Sequence, residues 1–262
     1  RTLFLLLAAV KIGVLGAIVT PTVTACTADG VPSNTPPTAT TAAQPTTNAT
    51  TLARPLQPRL AACACPQGVV RMMKIAIFDR DGTLNPLGDD YLSHPDQWQP
   101  LPGALQAVAQ LNRAGWHTVV ACNQPGLGGG LLDASTLNAI HAKLLRQLSA
   151  QGGRIDALFF CPHVADDACG CRLPAPGLLA QIAERYGAEP RHLYVMASDP
   201  ALLHAAAALG CSHLHLVCSG QSAHLQPGQA LPPELPPTTR LHADLDALVT
   251  HLLSAPAPAP LP

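Results

Sequence analysis

Two aspartates one residue apart, Asp79 and Asp81 in KIAIFDRDGTLN (74–85), follow a short apolar run. Alternate residues of an extended stretch point the same way, so both carboxylates can face one ligand. One can attack an electrophile while the other handles the leaving-group proton, provided a cation screens their repulsion. An EF-hand loop would need a Glu at its twelfth position, but positions 90 and 92 hold Asp and Leu. A second constellation, CPHVADDACGCR, places Cys161, His163, Cys169 and Cys171 within one short stretch. C-x-H followed by C-x-C is a closed four-ligand set of the kind that holds structural Zn²⁺. Thiolates select zinc over magnesium, so this centre is distinct from the acidic pair. Such a closed centre is structural.

These residues need elements to position them. Buried strand patterns cover 74–78, 116–124, 155–163, 192–199 and 212–220, and helical spacing covers 102–115, 133–153, 175–187 and 200–211. Strands alternating with helices imply a doubly wound, Rossmann-like parallel sheet covered on both faces. Such sheets bind ligands beyond the carboxyl ends of their strands. Asp79, Asn123, Cys161 and Asp199 all fall there. The expectation is one α/β domain over 73–253 with a minimal cap and a zinc-braced loop, then a disordered tail, 254–262.

The ends differ in composition. Residues 2–26 are apolar with a single charge, Lys11, and VTAC resembles a lipoprotein cleavage box at Cys26. Residues 27–60 are rich in Thr, Pro and Ala, a composition that builds no core and is expected to be disordered. Met72 and Met73 stand directly before the first strand, so residues 1–71 are expected to lie upstream of a true start at one of them, giving a cytoplasmic protein. The other reading is a genuine leader, with the domain membrane-anchored or exported. A net charge of −1 without a basic block argues against nucleic acid and against a membrane role for the folded domain. Nine unevenly spaced cysteines read poorly as a disulfide framework. His204, His213, His215 and His224 read as ordinary surface or half-buried residues, and Cys211 and Cys218 as small core residues.

FDRDGTLN resembles the first motif of the haloacid dehalogenase superfamily of phosphohydrolases. The nearest variant is that of the subgroup holding heptose bisphosphate and histidinol-phosphate phosphatases. The likeness extends over about 73–253 through YLSHPDQWQPLPGALQAVAQLNRAGW, NQPG, the Cys/His cluster and PPTTRLHADLDALVTHLL. It implies Asp79 as nucleophile forming an aspartyl-phosphate and Asp81 as general acid, then base. It implies Mg²⁺ on the Asp79 carboxylate, the Asp81 backbone carbonyl and Asp199, with Asn123, Gln124, Arg172 and Tyr91 at the substrate. The implied substrate is a small phosphorylated sugar or alcohol, acted on by a monomer.

Three motifs depart from the family pattern. Cys122 and Pro125 replace a threonine and a serine in CNQPG, and Leu173 stands where a lysine normally follows Arg172. Near 198–203 one carboxylate is missing, and an ungapped count would put Ser198, not Asp199, at the metal. Loss of the lysine alone could cost on the order of 10² to 10³ in rate. Two functional expectations follow: a phosphatase, or a catalytically impaired, zinc-stabilised scaffold of the same fold.

Overall fold

The computed structural model describes residues 22–25, 73–88 and 92–254. Its central strand, β2 (Ile75–Phe78), is buried at all four positions. Such a continuous apolar run belongs to a strand covered on both faces. The faces are distinct. Ile75 and Ile77 join one hydrophobic cluster, and Ala76 and Phe78 join the other. Burying one large apolar side chain contributes about 1.5–3 kcal/mol, so this alternation anchors two helical layers at once.

The remaining strands are β1 (Thr22–Ala25), β3 (His117–Asn123), β4 (Ala157–Cys161), β5 (Leu193–Ala197), β6 (His213–Val217) and β7 (Thr239–His242). They form a single sheet in the order β1-β4-β3-β2-β5-β6-β7, and every pairing is parallel. Helices α1 (Ala104–Arg113), α3 (Ala134–Ala150) and α6 (Leu245–Ser254) cover the Phe78 face. Helices α4 (Gly177–Tyr186) and α5 (Pro200–Leu209) cover the Ile77 face. A single turn, α2 (Pro125–Gly128), follows β3 directly. The doubly wound parallel sheet expected from the sequence is therefore present.

Local chemistry sets the helix ends. Asp133 caps α3 by accepting from the Thr136 amide at 2.6 Å, and Asp199 caps α5 by accepting from Ala201 at 2.8 Å. The five expected strands and four expected helices are all found, with ends trimmed by a few residues. Four elements were not anticipated: the single turn α2, β7, α6 and the edge strand β1, which pairs with β4 from within the apolar segment 2–26. The rest of 1–72, the tail from 255 and Tyr91 lie outside the described residues. Among the described residues, no helix is long and apolar enough to cross a membrane.

Strand order reverses at β2, with β3 on one side and β5 on the other. That switch point opens a crevice at the carboxyl ends. Asp79 follows β2 there, Asn123 ends β3, and Ser198 and Asp199 follow β5.

Candidate active site

Asp79 is buried, and its Oδ2 is fully engaged. It accepts from the Ser198 amide (2.9 Å), the Ser198 hydroxyl (3.0 Å) and the Asp199 amide (2.9 Å). Oδ1 has no partner among the described residues. Burial pushes the Asp79 carboxyl up to about 7, and the charge of Asp199 adds to the rise against the hydrogen bonds from Thr83 and the two amides. One fixed oxygen and one unpartnered buried oxygen suit a carboxylate that meets a cation or an electrophile not made of protein.

The chain then turns at Gly82, whose φ of +91° lies in the left-handed region. A Cβ there would collide with the Ser198 hydroxyl and meet Gly220 Cα at 3.1 Å. This close approach brings the Ser198 Oγ to 3.4 Å from the Asp81 carbonyl oxygen. Ser198 thus lies between the two groups that the family resemblance assigns to Mg²⁺. Asp199 is placed differently. Its Oδ1 caps α5, while its charge remains near enough to raise the Asp79 carboxyl. The Asp79 carboxylate and the Asp81 carbonyl, both within reach of the Ser198 hydroxyl, are oxygen donors of the kind a hard divalent cation takes.

Asp81 is held from below. Arg80 donates Nε–H to its Oδ1 (3.0 Å) and Nη2–H to its Oδ2 (2.8 Å), and Asn85 donates to Oδ1 (2.9 Å). Its side chain keeps 29% of its surface exposed, against 1% for Arg80. Asp81 is therefore the acidic group that a bound ligand can reach from solvent.

Asn123 and Arg172 both bond to backbone groups. The Asn123 side-chain amide brackets the Leu173 backbone, donating to its carbonyl at 3.2 Å and accepting from its amide at 3.0 Å. Arg172 donates Nη1–H to the His163 carbonyl at 2.9 Å, inside the Cys/His loop. Gln124 is buried, with its side chain directed to the Cys122 sulfur at 3.4 Å. Burial pushes the Cys122 thiol up to about 11, so it stays a neutral, weak donor beneath the acidic pair. Leu173 is buried in the core cluster.

The Cys/His loop brings its four ligand atoms within 4.8 Å of one another. The Cys161–Cys171, Cys161–His163 and Cys171–His163 separations are 3.3, 3.4 and 3.4 Å, and Cys161–Cys169 is 3.8 Å. A tetrahedron with metal–sulfur bonds near 2.3 Å and metal–nitrogen bonds near 2.0–2.1 Å spaces sulfur from sulfur by roughly 3.8 Å and sulfur from nitrogen by roughly 3.5 Å, so these four separations lie within about half an ångström of one. The donor set and spacing fit zinc. Burial and the neighbouring Cys171 sulfur push the Cys161 thiol upward, so a cation is needed for its thiolate to persist.

Sequence reasoning overlooked Arg80, Thr83, Asn85 and His141 around the pair. The available signal was Arg80 itself, a cation set between two acids at the end of an apolar strand.

No protein-family model matches the chain. It is 43% identical over 182 residues to the D-glycero-β-D-manno-heptose-1,7-bisphosphate 7-phosphatase of Bordetella bronchiseptica, covering 69% of this chain and 98% of that protein. The enzyme of that name from Pseudomonas aeruginosa is 38% identical over 179 residues, covering 68% of this chain and 97% of its own. The crystal structure of D,D-heptose 1,7-bisphosphate phosphatase from B. bronchiseptica, complexed with magnesium and phosphate, superposes with a TM-score of 0.64 at 44% identity. That match covers 69% of this chain and 98% of that one. Together with the acidic pair at the switch point, these similarities define a phosphohydrolase of the haloacid dehalogenase type. Within that class, the chain belongs to the heptose-1,7-bisphosphate 7-phosphatase family.

Proposed function

We propose that this chain removes the 7-phosphate of D-glycero-β-D-manno-heptose 1,7-bisphosphate, with Asp79 as nucleophile and Asp81 as general acid and base. The observation that carries the reading is the division of labour within Asp79: three donors fix Oδ2, and Oδ1 is unpartnered. Oδ1 attacks phosphorus and forms an aspartyl-phosphate, while Asp81 gives its proton to the departing sugar oxygen. Asp81 then takes a proton from the water that attacks the same phosphorus, which returns Asp79 as a carboxylate and releases phosphate. The Asp79 carboxylate, the Asp81 backbone carbonyl and Asp199 would hold Mg²⁺, which would supply the positive charge that keeps Asp79 ionised and screens the phosphoryl oxygens. The β-anomer is favoured by the names of both relatives. Cys161, His163, Cys169 and Cys171 hold Zn²⁺ and keep the loop to Leu173 in shape.

Leu173 favours a second reading, a chain with impaired turnover, because its buried apolar side chain offers no charge to the phosphoryl group. Phosphate release by the full chain with added Mg²⁺, from heptose bisphosphate and from histidinol phosphate, separates the two. Asp79→Asn provides the blank. Release above the blank supports catalysis, and the faster ester names the substrate. Release equal to the blank from a folded, zinc-loaded protein removes the catalytic reading.

A further inference from the structure

We propose that Arg80 and His141 form a positioning pair that fixes the Asp81 carboxylate for proton transfer. The inference rests on the role given to Asp81 above and adds two residues, one of them from α3.

Arg80 is wholly buried between the two aspartates. A buried guanidinium must have its donors satisfied, and here three nitrogens are accounted for. Nε and Nη2 grip both oxygens of Asp81 at 3.0 and 2.8 Å, a bidentate geometry that fixes the carboxylate plane as well as its position. Nη1 meets His141 Nε2 at 3.2 Å. Arginine has no lone pair to offer, so Nε2 accepts and the ring proton resides on Nδ1. His141 therefore acts as a neutral backstop that orients the guanidinium fork.

The surroundings of His141 support that assignment. It lies on α3, buried, and its Nδ1 has no partner among the described residues. The Arg80 contact is thus the one hydrogen bond that orients this ring among the described residues. Burial and then the Arg80 charge hold the His141 pKa down to about 3, so the ring remains an acceptor across the working range. Asp81 needs such support because it sits on a turn with its side chain partly in solvent. Without a fixed fork beneath it, the carboxyl could rotate away from the departing oxygen.

First-turnover rates on two esters test the pair. A sugar alkoxide needs the proton from Asp81, whereas p-nitrophenolate leaves without one. In His141→Leu the first turnover of heptose bisphosphate should fall roughly 10- to 100-fold, while release of the first equivalent of p-nitrophenol should stay within about two-fold of the parent. His141→Gln, which restores an acceptor at the same reach, should recover the sugar-ester rate. Equal losses on both esters, or no loss on either, would overturn the proposal. Asp81→Asn is the control for the underlying reading: if it lacks this leaving-group dependence, the acid role of Asp81 falls, independently of the pair. The pair is then judged by the nitrogen-15 spectrum of Arg80. Slowly rotating, protected guanidinium protons should be present in the parent and in His141→Gln and absent in His141→Leu. Their persistence in His141→Leu sinks the clamp whether or not the protein turns over.

Discussion

The Asp79 crevice and the Cys/His loop both gather charge at the carboxyl ends of strands, but they are assembled in opposite ways. The loop draws its four ligands from eleven consecutive residues, 161–171, with side chains already at tetrahedral spacing. The crevice draws on residues from 79 to 199, and its geometry depends on β2 and β5 being neighbours in the sheet. A local site tolerates change elsewhere in the fold, whereas a dispersed site registers any shift between strands. Asn123 joins them, because it ends β3 beside the crevice and brackets Leu173 at the exit of the loop.

The largest effect should come from the crevice. Asp79→Asn should lower phosphate release by roughly 10⁴-fold or more, since a missing nucleophile leaves its partners nothing to act through. Its melting temperature should hold or rise, because the substitution removes a buried carboxylate whose folded pKa is already raised. A marked drop in melting temperature would show that the carboxylate is structural. Stripping the loop with a chelator should act on stability instead. A ligand present at 1,000 times its dissociation constant contributes about 4 kcal/mol, so a melting scan with and without chelator should differ by several degrees. An unchanged scan would remove the metal from the loop.

Asn123→Ala tests the link between the two regions. Losing both hydrogen bonds to Leu173 should cost about 1–3 kcal/mol in chemical denaturation, with the zinc content unchanged. If the loop also lost its metal, the two sites would be more tightly coupled than their separate construction implies.

The smallest effect concerns neither site. His215 and His242 hydrogen-bond at 3.0 Å on neighbouring strands β6 and β7. Burial holds His215 down to about 3, with the charges of His242 and Arg240 adding to the shift, and holds His242 down to about 4, with those of His251 and Arg240 adding. Their unfolded forms take up protons below about 6.5 while the folded forms do not. Stability should therefore be level above pH 6.5 and fall as pH drops from there toward 4. His215→Leu should flatten that slope in a pH series of denaturation curves. An unchanged slope would place the acid sensitivity elsewhere, with the buried His141 as the next group to examine.

Much of this was legible in the sequence. The five strands and four helices were readable because apolar periodicity records which side of a strand or helix is covered, and the Cys/His set was readable because all its members lie within one short segment. β7 escaped as an element because a four-residue strand of mixed polarity, TRLH, carries little periodicity. The backbone contacts of Asn123 and Arg172 were not legible for another reason. A polar side chain at a strand end can serve the backbone as readily as a ligand, and sequence spacing does not distinguish these uses. Whether Ser198 or Asp199 faces Asp79 was undecidable by counting along the chain.

By itself the sequence determined the class of fold, the acidic pair and the zinc-type ligand set, since each follows from periodicity or from short-range spacing. Only the tertiary structure decided which atoms converge. The close approach of Gly82 to Gly220 sets Ser198 between Asp79 and the Asp81 carbonyl, and the packing of α3 against the sheet carries His141 to Arg80 from 61 residues away. Those contacts depend on how distant segments pack, which short-range spacing along the chain does not encode.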